Sequence, residues 1–260
     1  MTDNVLIDIS NNVAKITLNR PNVFNSFNRE MALRLQNILD ECEQNDAVRA
    51  IILTGSGKAF CAGQDLKEVT TPELNPGFKK ILEEHYNPII LKIRHIKKPI
   101  IAAVNGVAAG AGANIALACD IVVAHEQVKF IQAFSLIGLV PDSAGTFFLP
   151  RLIGFQKAQA LAMLGDKISA EQAEQMGMIY KSVPLKDYEE TISKLATKLA
   201  HMPTLALGLI KKLFNQSMTN TLEDQLALES KLQIKAASSN DYAEGVAAFM
   251  EKRQPNFKGN

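Results

Sequence analysis

The hydrophobic positions change period several times along the chain, and each change marks an element. Val5, Ile7 and Ile9 alternate with polar residues, an Asn11-Asn12 pair follows, and a second apolar run covers Val13 to Leu18. Alternation on both sides of an Asn-Asn pair predicts a β-hairpin, because asparagine tolerates the positive φ that a tight turn requires. From Asn28 to Asn45 the apolar residues Met31, Leu35, Ile38, Leu39 and Cys42 recur at helical spacing, so a helix with one buried stripe is expected. "VRAIILTG" then reads as a buried strand, "GSGKAFCAGQDL" as the loop after it, and residues 78–96 as a further helix.

The same alternation repeats. "KPIIAAVNG" is a strand, "GAGANIALAC" opens a helix and "DIVVAHE" is another strand, with glycine-rich joints between them. Strand and helix following one another in this way predict an α/β architecture. Residues 99–124 are apolar enough to suggest a membrane span, but Asn105, Asn114, Asp120 and the interspersed glycines favour a buried strand-turn-helix-strand. Strands thin out after Gly154, and from about Tyr188 onward only helical patterns remain. The chain therefore divides into a core over 1–187 and a helical region over 188–260. Leu205, Leu207, Leu209 and Ile210 cover more than one helix face, so that region needs partners on more than one side, from another subunit or from its own core.

Composition narrows the function classes. The 260 residues are 47% hydrophobic, with 28 Lys plus Arg against 27 Asp plus Glu. A net charge of +1 gives no pull toward nucleic acid or an anionic membrane, and no basic run exceeds a lysine pair. Cys42, Cys61 and Cys119 are odd in number and far apart, and no secretory leader precedes them, so a reducing cytoplasm is expected. His85, His95, His125 and His201 have no second ligand at helical spacing, and no metal site is expected.

Three short motifs fail on inspection. "GSGKAF" lacks both the first glycine and the Ser or Thr of a phosphate-binding P-loop. "GAGANI" has Ile115 where a dinucleotide fingerprint ends in glycine. "PDSAG" resembles a nucleophile elbow, yet nothing local supplies a histidine for Ser143. Asp142 is the notable residue of that stretch, a carboxylate at the end of an apolar run. Such a group is either a helix N-cap or a buried acid whose pKa is raised toward that of a useful base.

Taken together, "NRPNVFNSFN", "AFCAGQDL", "KPIIAAVNGVAAGAGANIALACDIVVA" and "FSLIGLVPDSAGTFFLPRLIG" resemble the crotonase (enoyl-CoA hydratase/isomerase) superfamily over essentially the whole chain. The resemblance implies a ClpP-like fold of repeated β-β-α units and a C-terminal helical region that makes a homotrimer or a dimer of trimers. It implies an acyl-CoA substrate and no cofactor, coenzyme A being part of the substrate. By position, the backbone N–H groups of Gln64 and Ala111 would form the oxyanion hole for the thioester carbonyl. Substrate and CoA contacts would fall on Val23, Phe24, Ala62, Asp65, Leu66, Tyr86, Asn114 and Phe134.

The two glutamates of the family's hydratases correspond to Asn114 and Phe134, neither of which can do their work. Asp142 falls where some dienoyl-CoA and ring-modifying isomerases carry an acid, which implies a single-carboxylate isomerase. The finer resemblance is to isomerases of aromatic-ring epoxide CoA thioesters in phenylacetate catabolism, with Tyr86 and Phe134 as walls of an aromatic acyl pocket. Ser143-Ala144-Gly145 departs from the small-Gly-Gly run of that subgroup, and Asn22 stands where a CoA-contacting lysine is frequent. Two rivals stay open: an enoyl-CoA hydratase, and a catalytically silent CoA-binding scaffold. An isomerase of this kind could also work beside a partner enoyl-CoA hydratase.

Overall fold

In the computed structural model, which describes residues 3–260, Val5–Ser10 (β1) and Val13–Leu18 (β2) pair antiparallel as a hairpin. Asn11 and Asn12 take left-handed conformations at its tip, with φ of 50° and 62°. Ala14, Ile16 and Leu18 on β2 are fully buried and begin the core. The amphipathic helix α1 (Arg29–Gln44) follows, capped by the Asn28 side chain, which accepts from the Met31 N–H. Its buried stripe contains the apolar residues expected from the spacing.

Three strand pairs then repeat one pattern. β3 (Ala50–Gly55) leads into β4 (Ala59–Cys61), β5 (Ile100–Val104) into β6 (Val107–Ala109), and β7 (Ile121–His125) into β8 (Lys129–Ile131). The longer strand of each pair joins a six-stranded sheet and the shorter one a four-stranded sheet. Their orders are β1-β2-β3-β5-β7-β10 and β4-β6-β8-β9, where β9 is Lys167–Ser169 and β10 is Lys181–Val183. Pairing is parallel except for β1 with β2 and β8 with β9. β3 and β5 are buried along their whole length, as central strands of a parallel sheet are when helices cover both faces.

The switch between sheets needs glycine. A Cβ on Gly55 would lie 2.3 Å from the Ala59 carbonyl oxygen, and one on Gly106 would lie 2.2 Å from that of Lys58. Here the structure differs from the sequence reading: "GSGKAFCAGQDL" is not all loop, because β4 lies within it. Three residues between two turns are too few to display a period.

Between β4 and β5 the chain forms α2 (Leu66–Thr70) and a long helical segment made of α3 (Phe78–Lys80), a π-helical stretch Ile81–Tyr86, and α4 (Asn87–His95). The π stretch has a local cause. Pro88 has no N–H to give the Glu84 carbonyl, and the Gln36 side chain donates to that oxygen instead, at 2.8 Å. α5 (Ala111–Ala118) follows β6, and α6 (Gly145–Ile153), α7 (Phe155–Leu164) and α8 (Ala170–Gln175) complete the core.

Of the last four helices, α9 (Tyr188–His201) covers the outer face of the large sheet. Its Tyr188, Ile192 and Ala196 pack on Ile52, Ile101, Ala103, Val123 and Val183. α10 (Thr204–Ser217) lies on α4, fixed by a partly buried ion pair from Lys211 Nζ to Asp120 Oδ2 (2.8 Å) and by Arg94 donating to Asn215 Oδ1. α11 (Leu222–Ala237) and α12 (Asn240–Glu251) extend beyond it. No helix among the described residues is long and apolar enough to cross a membrane.

Candidate active site

The chain after β4 interlocks with the segment before α1. Ala62 N–H donates to Phe24 O, Phe27 N–H to Gly63 O and Asp65 N–H to Phe27 O, at 2.7–3.0 Å. These bonds satisfy the neighbours of Gln64 and leave its own N–H with no acceptor among the described residues. Gly63 has φ of 91°, and a Cβ there would lie 3.1 Å from Ala109 O and 3.5 Å from Ala111 N, so the loop sits against the start of α5. Ala111 is the first residue of that helix, and its N–H lacks an intrahelical partner by construction. Gly110, at φ 53° and ψ −128°, turns the chain from β6 into α5. Two free amides on adjoining loops, one at the positive end of a helix, are suited to hold a developing oxyanion.

Asp142 lies in the same neighbourhood: its carbonyl accepts from Asn114 on α5, and its charge acts on Tyr86, which is bonded to Gln64. Its turn precedes α6, whose N-cap is Ala144 with no side-chain bond, so the carboxylate does not cap the helix. Ser143 and Ala144 both take left-handed conformations, at φ 50° and 58°. Two non-glycine residues there cost roughly 1–2 kcal/mol each. The carboxylate accepts one hydrogen bond, from Ser143 Oγ at 2.9 Å. Burial pushes the carboxyl pKa up to about 6, and the Ser143 hydroxyl opposes the rise. A base titrating there is close to its best working range at neutral pH.

The neighbouring acids are committed elsewhere. Asp65 pairs with Arg20 at 2.7 Å and caps α2. The buried Glu68 accepts from Gln64 Nε2 at 2.7 Å and from Arg29 N–H at 2.8 Å. Tyr86, carried by the π stretch, donates its hydroxyl to Gln64 Oε1 at 2.9 Å and packs edge-on to Phe27. Burial, and then the nearby acidic groups including Asp142, push its phenol well up, so it stays a neutral donor. The Phe134 ring lies beside Gly110, 3.7 Å from where a Cβ would be. Val23, Phe24 and Leu66 are exposed on the segments that carry the Gln64 loop.

Asn114, expected among the substrate contacts, is held by two side-chain hydrogen bonds. It is 1% exposed, donates from Nδ2 to Asp142 O and accepts at Oδ1 from Gln132 Nε2, both at 2.8 Å. Sequence reading missed Gln132, Glu68 and Arg20; Glu68 alone left a faint sign, three residues after the capping Asp65. A mostly apolar cavity of about 270 Å³ lies between α6 and α7, lined by Gln132, Pro141, Gly145, Thr146, Leu149 and Phe155 among others. A groove of about 830 Å³ between α4 and α10 contains none of the candidate acid or amide groups.

Comparison with known proteins agrees with this architecture. The sequence pattern of the "Enoyl-CoA hydratase/isomerase" family matches residues 8–260. The chain is 46% identical over 261 residues to "1,2-epoxyphenylacetyl-CoA isomerase" of Escherichia coli K12, covering 100% of both. It is 45% identical over 252 residues to a Rhodobacter capsulatus protein named "Probable enoyl-CoA hydratase", covering 97% of this chain and 96% of that one. A crystal structure of enoyl-CoA hydratase from Bacillus anthracis superposes with a TM-score of 0.92 at 34% identity, covering 99% of this chain and all of that one. With the pattern matched across nearly its whole length and the fold shared, the chain belongs to the enoyl-CoA hydratase/isomerase family.

Proposed function

We propose that the protein is a cofactor-independent CoA-thioester isomerase acting on 1,2-epoxyphenylacetyl-CoA, which it converts to the oxepin thioester, and on the double bonds of enoyl-CoA thioesters. One observation carries the reading: Asp142 is a partly buried carboxylate with a single hydrogen bond and a pKa pushed up to about 6, while the neighbouring acids are held by cations or amides. The name of the Escherichia coli relative supplies the substrate.

In the enoyl reaction the thioester carbonyl accepts hydrogen bonds from the N–H groups of Gln64 and Ala111. Asp142 takes a proton from the saturated carbon between the thioester carbonyl and the 3-double bond, and the electron pair left behind spreads onto the thioester oxygen as a dienolate. The same carboxyl returns the proton at the far end of the conjugated system. Atoms and charge balance without water or an oxidant. Hydration would need a second carboxylate to activate water, whereas Asn114 and Phe134 stand at those positions.

Phe24 and Leu66 are read as contacts at the CoA mouth and Phe134 as a wall of the acyl site. We further propose a homotrimer or dimer of trimers in the cytoplasm, able to work beside an enoyl-CoA hydratase. The test is product analysis with 3-enoyl-CoA, 2-enoyl-CoA and enzymatically generated epoxyphenylacetyl-CoA, for the wild type and for Asp142→Asn. Bond migration or oxepin formation should fall by on the order of 10²–10⁴-fold in the variant. Brisk hydration, or a fully active variant, would overturn the reading.

A further inference from the structure

We infer that Gln132 and Asn114 are positioning residues, a two-amide brace that holds the strained turn from which Asp142 presents its carboxylate. The inference rests on the reading of Asp142 as the base. Gln132 directly follows β8, Asn114 lies on the first turn of α5, and Asp142 belongs to the turn before α6, so the brace ties three elements together. The turn needs such support, because Ser143 and Ala144 are both left-handed and neither is glycine. Backbone strain of this kind persists only where surrounding contacts over-determine it.

The direction of the hydrogen bonds is fixed by chemistry. The Asp142 carbonyl can only accept, so Asn114 must turn its Nδ2 to it, which leaves Oδ1 facing Gln132. Gln132 must then present Nε2, and its own Oε1 is left buried without a donor. A buried acceptor left unpaired calls for an explanation, and the brace supplies one: satisfying Oε1 by turning the amide over would break the contact to Asn114. Gly145 completes the fit. A Cβ there would lie 2.3 Å from Asn114 Nδ2, so no side chain can separate the amide from the turn. Because Asn114 sits three residues after Ala111, one helical turn sets both the oxyanion donor and the height of the base.

The test compares Gln132→Leu, Asn114→Leu, Gln132→Glu and Asp142→Asn on the same thioester. The two leucine variants should lose on the order of 10- to 100-fold in kcat, with KM within about threefold, since the base is misaimed while binding is intact. The acidic limb of their kcat/KM profile should move to lower pH as the released carboxylate becomes hydrated. Glutamate at 132, buried and protonated, can still donate to Asn114 Oδ1 and should retain most of the turnover. Adding Ala144→Gly to Gln132→Leu should recover much of the loss, because glycine keeps the turn without strain.

If the Gln132→Leu and Asn114→Leu enzymes keep wild-type kcat and an unmoved acidic limb while Asp142→Asn is inactive, the brace is ordinary packing and the inference falls. An equal loss in Gln132→Glu and Gln132→Leu, with no recovery from Ala144→Gly, also overturns it. A fully active Asp142→Asn would instead sink the assignment of the base, and the brace with it.

Discussion

At Asp142, the proposed function and stability oppose each other. Its carboxyl titrates near pH 6 in the folded protein against an ordinary value of 3.8, so the folded state binds the proton more tightly than the unfolded one. Stability therefore falls as pH rises from about 4 to about 6, and above that the full penalty is present. A shift of two units corresponds to about 2.7 kcal/mol, and partial solvent screening reduces this to about 2 kcal/mol. Asp142→Asn should accordingly melt about 4–8 °C higher than wild type at pH 7.5, with the advantage vanishing below about pH 4. Calorimetry at the two pH values checks this. Equal melting temperatures at pH 7.5 would mean that the carboxylate is well solvated in the folded protein. The same titration predicts that kcat/KM declines below about pH 6, where the base is already protonated.

Among the elements, the π-helical stretch Ile81–Tyr86 does the most for the site with the least sign in the sequence. It brings the Tyr86 hydroxyl to Gln64 Oε1, behind the backbone N–H assigned to the oxyanion hole. Removing the hydroxyl in Tyr86→Phe should lower kcat about three- to tenfold, the equivalent of one hydrogen bond of about 1 kcal/mol, and leave KM nearly unchanged. Steady-state kinetics on an enoyl-CoA decides it; an unchanged kcat would show that Glu68 alone orients Gln64.

The legibility of the site follows the same line. Elements with several periods, such as β2 and α1, could be read directly, and the glycines around residues 106–112 marked the joints. The three-residue strands β4, β6 and β8 could not, since a period of two needs more length to appear. Six residues of π-helix look like α-helix to any pattern of apolar positions. The Asn114–Gln132 contact joins positions 18 residues apart that look like ordinary polar interruptions, and only the folded geometry pairs them. The motif resemblance pointed to Gln64, Ala111 and Asp142 as candidates, but not to the contacts that hold them.

For the molecule as a whole, the question is what covers the last helices. α11 has 16 residues and a single buried one, Leu232, and its Leu226 and Ile234 are exposed. Phe214 on α10 is 66% exposed, and Phe249 and Met250 on α12 are 82% and 75% exposed. Helices gain most of their stability in proteins by burying an apolar face, and exposed aromatic and aliphatic groups of this kind mark association surfaces. A net charge of +1 adds little repulsion between copies. The segment before Asp142 carries Leu136, Ile137 and Val140, also exposed, so a second apolar surface lies close in sequence to Asp142. Light scattering after gel filtration should give about three or six times the chain mass of 28.4 kDa. Phe249→Glu combined with Phe214→Glu should shift the protein toward monomer and lower its melting temperature, because a charge cannot be buried there unpaired. If the double variant keeps the wild-type mass, those helices are not the subunit contact, and the Leu136–Val140 segment becomes the surface to substitute. If the wild type is itself monomeric at micromolar concentration, the trimer is wrong and the exposed faces of α10 to α12 require a different partner.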